Sequence, residues 1–146
     1  MRKERRMIMN TKTYTTLPQE AKDIRIEVFV KEQGFENKFD EIDTISHHIV
    51  AFDERKPIGT CRFFKENDHY TIGRVTVLKE YRNQHMGNLL LESAENEIKK
   101  LNGDLIVVHA QVRIHPFYEK QGYIQFGQID DDEGVPHMWM KKKIQY

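Results

Sequence analysis

The apolar positions of the chain change period several times, and each change marks an element. Residues 12–16 alternate as a short strand. Leu17, Ala21, Ile24 and Val28 then recur at spacings of four, three and four, the single apolar face of a helix. Thr16 and Gln19 have capping-box spacing. Pro18 falls in the first turn, where its missing N–H costs nothing, and Glu32-Gln33-Gly34 ends the helix. Residues 35–46 lose the period and carry Glu36, Asp40, Glu41 and Asp43, which predicts a loop or a broken helix. Strands are predicted at 47–52, 58–65 and 69–77, joined by turns at 53–57 and 66–68 into an antiparallel meander.

A helical period resumes over 84–100, where Leu90, Leu91, Ala94 and Ile98 share a face and Asn102-Gly103 stops the run. Residues 105–110, Leu-Ile-Val-Val-His-Ala, form a continuous apolar run, the mark of a strand buried on both faces. Strand, helix and strand across 75–110 make a βαβ unit, so its two strands run parallel or splay apart. A short helix at 114–120 follows. A last hairpin pairs 123–127 with 137–144 across the acidic stretch 130–134. The predicted class is α/β of the mixed, α+β kind. Its central sheet is mostly antiparallel with one parallel, splayed pair, and helices cover both faces.

Composition narrows the function. The 146 residues suit one domain over 11–146, after a basic leader, 1–10, read as frayed and solvated. Lysine plus arginine equals aspartate plus glutamate at 23 each, so no net field draws nucleic acid or a membrane surface. No apolar run reaches 18 residues, and no apolar stretch follows the basic leader as a secretory signal requires. Cys61 is the single cysteine, which excludes a disulfide framework, makes the cytoplasm the expected compartment and reads as core. His47 and His48 look metal-like, but strand neighbours point to opposite faces and no other ligand has matching spacing, so no metal is expected. The acidic stretch lacks EF-hand spacing. It is either a solvated loop or a wall that attracts a cationic substrate.

The chemistry concentrates in residues 74–91. A β-branched strand (Val75, Thr76, Val77) breaks in a charged turn and restarts as a helix. The first N–H groups of a helix lack intrahelical partners and its dipole favours negative charge, so this junction, with Arg82 beside it, is an anion site. A phosphate-bearing cofactor is the first candidate. Neither the P-loop pattern nor G-x-G-x-x-G is present.

The turn Arg82-Asn83-Gln84-His85-Met86-Gly87 resembles the Q/R-x-x-G-x-G/A loop with which the GNAT N-acetyltransferases cradle the pyrophosphate of coenzyme A. Phe117-Tyr118-Glu119-Lys120-Gln121-Gly122-Tyr123 is similar to their F-Y-E-K-x-G-F signature, and His109-Ala110-Gln111 to the end of their fifth strand. The motifs around Val28–Gln33, with Asp43, His47 and the Gly134-Val135-Pro136-His137 run, resemble the small ElaA-like bacterial branch. The resemblance spans roughly residues 17–144. It implies an N-acetyltransferase that moves the acetyl group of acetyl-CoA directly to a primary amine, on a small molecule or a protein. The other reading is a non-catalytic acyl-CoA-binding domain, which His85, standing where the family loop has its first glycine, leaves open. A protein of either kind is expected as a monomer or homodimer.

The resemblance also implies roles. The backbone of Val75, Thr76 and Val77 would pair with the pantetheine arm. Arg82, Asn83, Gln84, His85, Met86, Gly87 and Asn88 would hold the pyrophosphate, and Gln111, Phe117 and Tyr118 would flank the arm. Tyr118 matches the family's general acid: a phenol of pKa about 10 can protonate a departing thiolate. An alkylamine of pKa about 10.4 is mostly protonated at neutral pH, so a base is also needed. His137 is the base candidate with a family match, with Glu32, Gln33, His47 and Arg62 as candidate substrate contacts, and the choice stays open. For His85, the expected conformation is already helical, with Gly87 keeping the closest approach to phosphate.

Overall fold

The computed structural model of the protein describes residues 9–36 and 39–146. Seven strands form one sheet in the order β1-β2-β3-β4-β5-β7-β6. β1 (Met9–Tyr14), β2 (His47–Asp53), β3 (Lys56–Glu66) and β4 (His69–Val77) run antiparallel in sequence order. β5 (Leu105–Gln111) lies parallel to β4, and β6 (Ile124–Asp132) and β7 (Val135–Lys143) close the far edge as an antiparallel hairpin. The expected mixed fold and its single parallel pair are present. The first strand begins earlier than residue 12, so Met9 and Asn10 of the expected leader belong to the sheet; residues 1–8 lie outside the described residues.

Both sheet faces are covered because β2 and its neighbours are apolar on both sides. Ile49, Ala51, Cys61, Phe63, Ile106, Val108, Met138 and Met140 pack on one face under α2 (Met86–Lys100), whose Leu90, Leu91, Ala94 and Ile98 are fully buried. Val50 and Phe52 point the other way, onto Ala21 and Ile24 of α1 (Gln19–Arg25). The Thr16 capping box does not form: Pro18 is the extended N-cap residue, and no side chain caps the helix. The α1 chain continues without a break as a π-helical segment, Ile26–Glu32, in which Gln33 N–H reaches back to the Val28 carbonyl. Gly34, at φ +79°, ends it. The acidic stretch is a 3-10 turn, Glu41–Thr44, with a reciprocal box between Asp40 and Asp43.

The feature that opens the site is a bulge. Arg62 pairs with Gly73 and Thr60 with Thr76, two steps on β3 against three on β4, and Arg74 takes up the extra residue at φ +54°. β4 pairs with β5 only at Tyr70, Thr71 and Ile72. Beyond Gly73 the strands diverge, and the gap is where two clefts meet. At the other edge, Glu133 and Gly134 both have positive φ, the mark of a tight two-residue hairpin turn. The acidic residues 130–132 therefore belong to β6 itself rather than to a loop.

Candidate functional site

The larger cleft, about 710 Å³, lies between the end of β4, the N-terminus of α2 and α3 (His115–Lys120). Its walls include Val75, Thr76, Val77, Arg82, Asn83, His85, Met86, Gly87, Asn88, Phe117 and Tyr118. α2 starts at Met86, so the N–H groups of its first turn open toward this cleft. Gly87 faces the Phe117 ring so closely that a Cβ would stand 3.2 Å from Cζ. Of the residues expected at the cofactor, Gln84 turns back to donate to the Glu80 carbonyl at 3.3 Å. Gln111 lies in the neighbouring cleft, linked to Gln33 and Arg113.

His85 is not helical. It is the N-cap residue at φ +63°, ψ +24°, in the left-handed region, two residues after Asn83 at φ +64°. The position needs the conformation a glycine supplies most easily, so the side chain carries a strain of about 1 kcal/mol. Histidine is among the non-glycine residues that tolerate it best.

Arg82 is held from two sides. Its Nε donates to the Val77 carbonyl at 3.0 Å, and its two terminal nitrogens grip the Glu32 carboxylate, one at 2.7 Å. Those Arg82 hydrogen bonds, against an opposing desolvation, hold Glu32 below the usual carboxylate range. Glu32 and Gln33 line the larger cleft, and Gln33 accepts from Gln111 of the neighbouring cleft at 3.1 Å.

The smaller cleft, about 280 Å³, opens on the other side of the splay and is lined in part by Phe29, Arg62, Arg74, His109, His137 and Trp139. Val75, Ile114 and Tyr118 line both clefts. Tyr118 is 5 % exposed, packs edge-on against Phe117 and Tyr123, and its hydroxyl has no hydrogen-bond partner among the described residues. Burial, with the neighbouring Cys61, raises its pKa well above the ordinary phenol value. The group is a neutral donor at any working pH. Cys61 itself is fully buried with its thiol pushed up to about 12, as a core residue should be.

Arg62 reaches the smaller cleft but is not a free cation. It donates to Asp43 at 2.9 Å and to Asp40 at 3.1 Å, while Arg25, fully buried, donates to Asp43 at 2.9 and 3.0 Å and Arg74 to Asp40 at 3.2 Å. Asp40 and Asp43 are therefore spent on guanidinium groups of the protein itself, while Glu36 and Glu41 of the same stretch are exposed. His47 lines neither cleft: its ring stacks on Phe63 at 4.9 Å. His48 points the opposite way, fully buried, with Nε2–H donating to the Asp43 carbonyl at 3.0 Å. His137 is buried at the floor of the smaller cleft, and its Nδ1–H donates to the Val135 carbonyl at 2.8 Å. No group of three or more metal-ligating side chains occurs among the described residues.

Sequence reasoning did not single out Arg74, Trp139 or the His109–Asp130 pair as site residues. Gly73 before an arginine inside a strand pattern was the one local sign of the bulge. The others required the strand register.

Comparison with known proteins agrees with this geometry. The sequence profile of the acetyltransferase (GNAT) domain matches residues 14–144. The uncharacterized N-acetyltransferase YjcF of Bacillus subtilis is 34 % identical over 122 residues, covering 82 % of this chain and 87 % of its own. A crystal structure assigned as an N-acetyltransferase of Lactobacillus plantarum superposes with a TM-score of 0.86 at 28 % identity, covering 94 % of this chain and 99 % of that one. The crystal structure of Escherichia coli ElaA gives 0.82 at 22 % identity over 92 % of this chain and 99 % of its own.

Proposed function

Because this chain belongs to the GNAT acetyltransferase family, we propose that it transfers the acetyl group of acetyl-CoA directly to a primary amine. The observation that carries the reading is the position of Tyr118, where the cofactor-side cleft and the smaller cleft meet across the β4–β5 splay. The α2 N-terminus and Arg82 suit a pyrophosphate, and the unpaired edge of β4 beyond Gly73 suits the amides of the pantetheine arm. A thioester lying along that edge would bring its carbonyl to Val75 and Tyr118. The amine enters from the smaller cleft and attacks the carbonyl carbon. As the C–S bond breaks, Tyr118 gives its proton to the departing sulfur. No helix among the described residues is long and apolar enough to cross a membrane; a cytoplasmic protein, as monomer or homodimer, is the matching proposal.

Replacing Tyr118 by Phe keeps the ring packing and removes only the hydroxyl. We expect thiol release across a panel of amines to fall about 10²- to 10⁴-fold, the usual worth of a positioned acid, with acetyl-CoA binding unchanged. Unaltered turnover in this variant removes Tyr118 from the mechanism.

The Glu32 carboxylate competes with pyrophosphate for Arg82. Both partners are about one-third exposed, so the pair is worth about 0.2–1 kcal/mol. Glu32→Gln is therefore expected to lower the coenzyme A Kd by about 1.5- to 5-fold at low salt, read by calorimetry, with the gain shrinking as salt is added. A weaker Kd in the variant would instead make Glu32 a support that positions Arg82.

A further inference from the structure

On the sheet face away from α2, four rings from β5, β6 and β7 form a file. His109 stacks on Trp139 at 4.3 Å, lies 4.8 Å from His137, and Phe126 follows Trp139 at 6.5 Å. Asp130, opposite His137 in the β6–β7 register, accepts a hydrogen bond from His109 Nε2–H at 2.7 Å. With the proton on Nε2, Nδ1 carries the lone pair, and no described residue bonds to it. His109 lines the same cleft as Tyr118.

We propose that His109 is the proton acceptor for the incoming amine, and that Asp130 is its positioning residue. The proposal rests on the acyl-transfer reading above. An alkylammonium entering the cleft gives one proton to Nδ1 of His109 and becomes a neutral nucleophile. Its nitrogen then forms the N–C bond to the thioester carbonyl carbon, and the C–S bond breaks. The second nitrogen proton leaves as the amide forms and replaces the one Tyr118 gives to sulfur. The imidazolium releases its proton to solvent, so ammonium and thioester become amide, thiol and one proton. Asp130 holds the Nε2–H tautomer and stabilises the imidazolium, the division of labour of a carboxylate–histidine pair in acyl transfer.

The other groups facing this ring are worse placed. His137 is 5 % exposed and its Nδ1–H is committed to its own strand. Asp40, across the cleft, is held by Arg62 and Arg74. Glu66 and Asp132 also line the cleft, on β3 and at the end of β6, and they set its charge together with these arginines.

The test compares wild type with His109→Gln, Asp130→Asn, Asp130→Glu and His137→Gln in thiol release from acetyl-CoA over an amine panel, with acetyl-CoA-induced thermal shift as the binding control. His109→Gln should lose about 10²- to 10⁴-fold in kcat and keep the thermal shift. Asp130→Asn should lose about ten-fold or more in kcat, with acceptor KM little changed. The acid limb of its pH profile should move to lower pH, because a carboxylate that favours the imidazolium is gone, and Asp130→Glu should recover most of the rate. A His109→Gln enzyme with wild-type kcat overturns the proposal, as does a larger loss in His137→Gln than in His109→Gln. A wild type that binds acetyl-CoA and turns over no amine overturns the acyl-transfer reading instead. Independently of any acceptor, imidazole ¹⁵N spectra should give His109 as the Nε2–H tautomer in wild type and a mixture in Asp130→Asn. An Nδ1–H tautomer in the wild type ends the assignment.

Discussion

Gly87→Asp should abolish the stabilisation that acetyl-CoA gives. Wild type at a ligand concentration 100 times Kd gains about 2.7 kcal/mol, which for a chain of this size raises Tm by roughly 5–10 °C. Two effects remove the gain. The new Cβ sits 3.2–3.3 Å from the Phe117 ring, which forms the cleft wall and packs on Tyr118 at 5.0 Å. The carboxylate also enters the first turn of α2, the place proposed for the pyrophosphate. Two unit charges about 5 Å apart at an effective dielectric near 20 repel by about 3 kcal/mol, roughly a 150-fold loss of affinity. An acidic residue in the first turn is otherwise favourable to a helix by about 0.3–1 kcal/mol, so the variant should fold and isolate binding from stability. Gly87→Ala, with the steric contact alone, should retain part of the shift. A full thermal shift in Gly87→Asp would place the cofactor elsewhere.

The parts of this site that were legible in sequence are the local ones. α2 shows its core face in Leu90, Leu91, Ala94 and Ile98, and β5 announces itself by an unbroken apolar run, because burial on both sides leaves no alternation to read. Residues 82–88 and Tyr118 lie in short contiguous motifs, so most of the lining of the larger cleft follows once the βαβ unit is recognised. His85 went the other way. Nothing in its neighbours distinguishes a left-handed cap from a first helical turn, and the expectation of a helical residue failed there. The bulge at Arg74 left only Gly73 as a sign, since strand alternation runs through it and the strained residue is not the glycine but its neighbour.

The smaller cleft was the least legible because its members come from separate strands. His109, Asp130 and His137 meet only through the β5–β7 and β6–β7 registers, and the extra residues between Phe126 and Asp130 shift that register. Glu32 lies at the end of a π-helical segment, where its carboxylate meets Arg82. Apolar spacing does not encode that contact. The ion pairs of Asp43 were hidden for a similar reason: its partners, Arg25 and Arg62, are 18 and 19 residues from it along the chain.

That ionic network carries the largest stability effect expected of a single substitution. Asp43 is 7 % exposed and accepts from Arg25 and Arg62, while its second oxygen caps the Asp40 N–H at 3.2 Å. Replacing a buried ion pair with apolar groups can be neutral, but removing one partner strands the other charge at a cost of about 3–5 kcal/mol. Asp43→Asn is expected to cost about that much at pH 7, lowering Tm by about 10 °C or more. Burial pushes the Asp43 carboxyl up, but Arg25, Arg62 and the Asp40 N–H together hold it below its ordinary value, and the Arg62 hydrogen bond does the same for Asp40. Carboxylates depressed in the folded state contribute stability that is complete above the unfolded value near 3.9 and is lost as pH falls through the folded values. The gap between wild type and Asp43→Asn in urea midpoint should therefore be widest at neutral pH and close below about pH 4. Because Arg62 also lines the smaller cleft, the variant should raise the acceptor KM even at temperatures where it stays folded. A variant within about 0.5 kcal/mol of wild type at pH 7 would mean that Asp43 is not what compensates the charge of the fully buried Arg25.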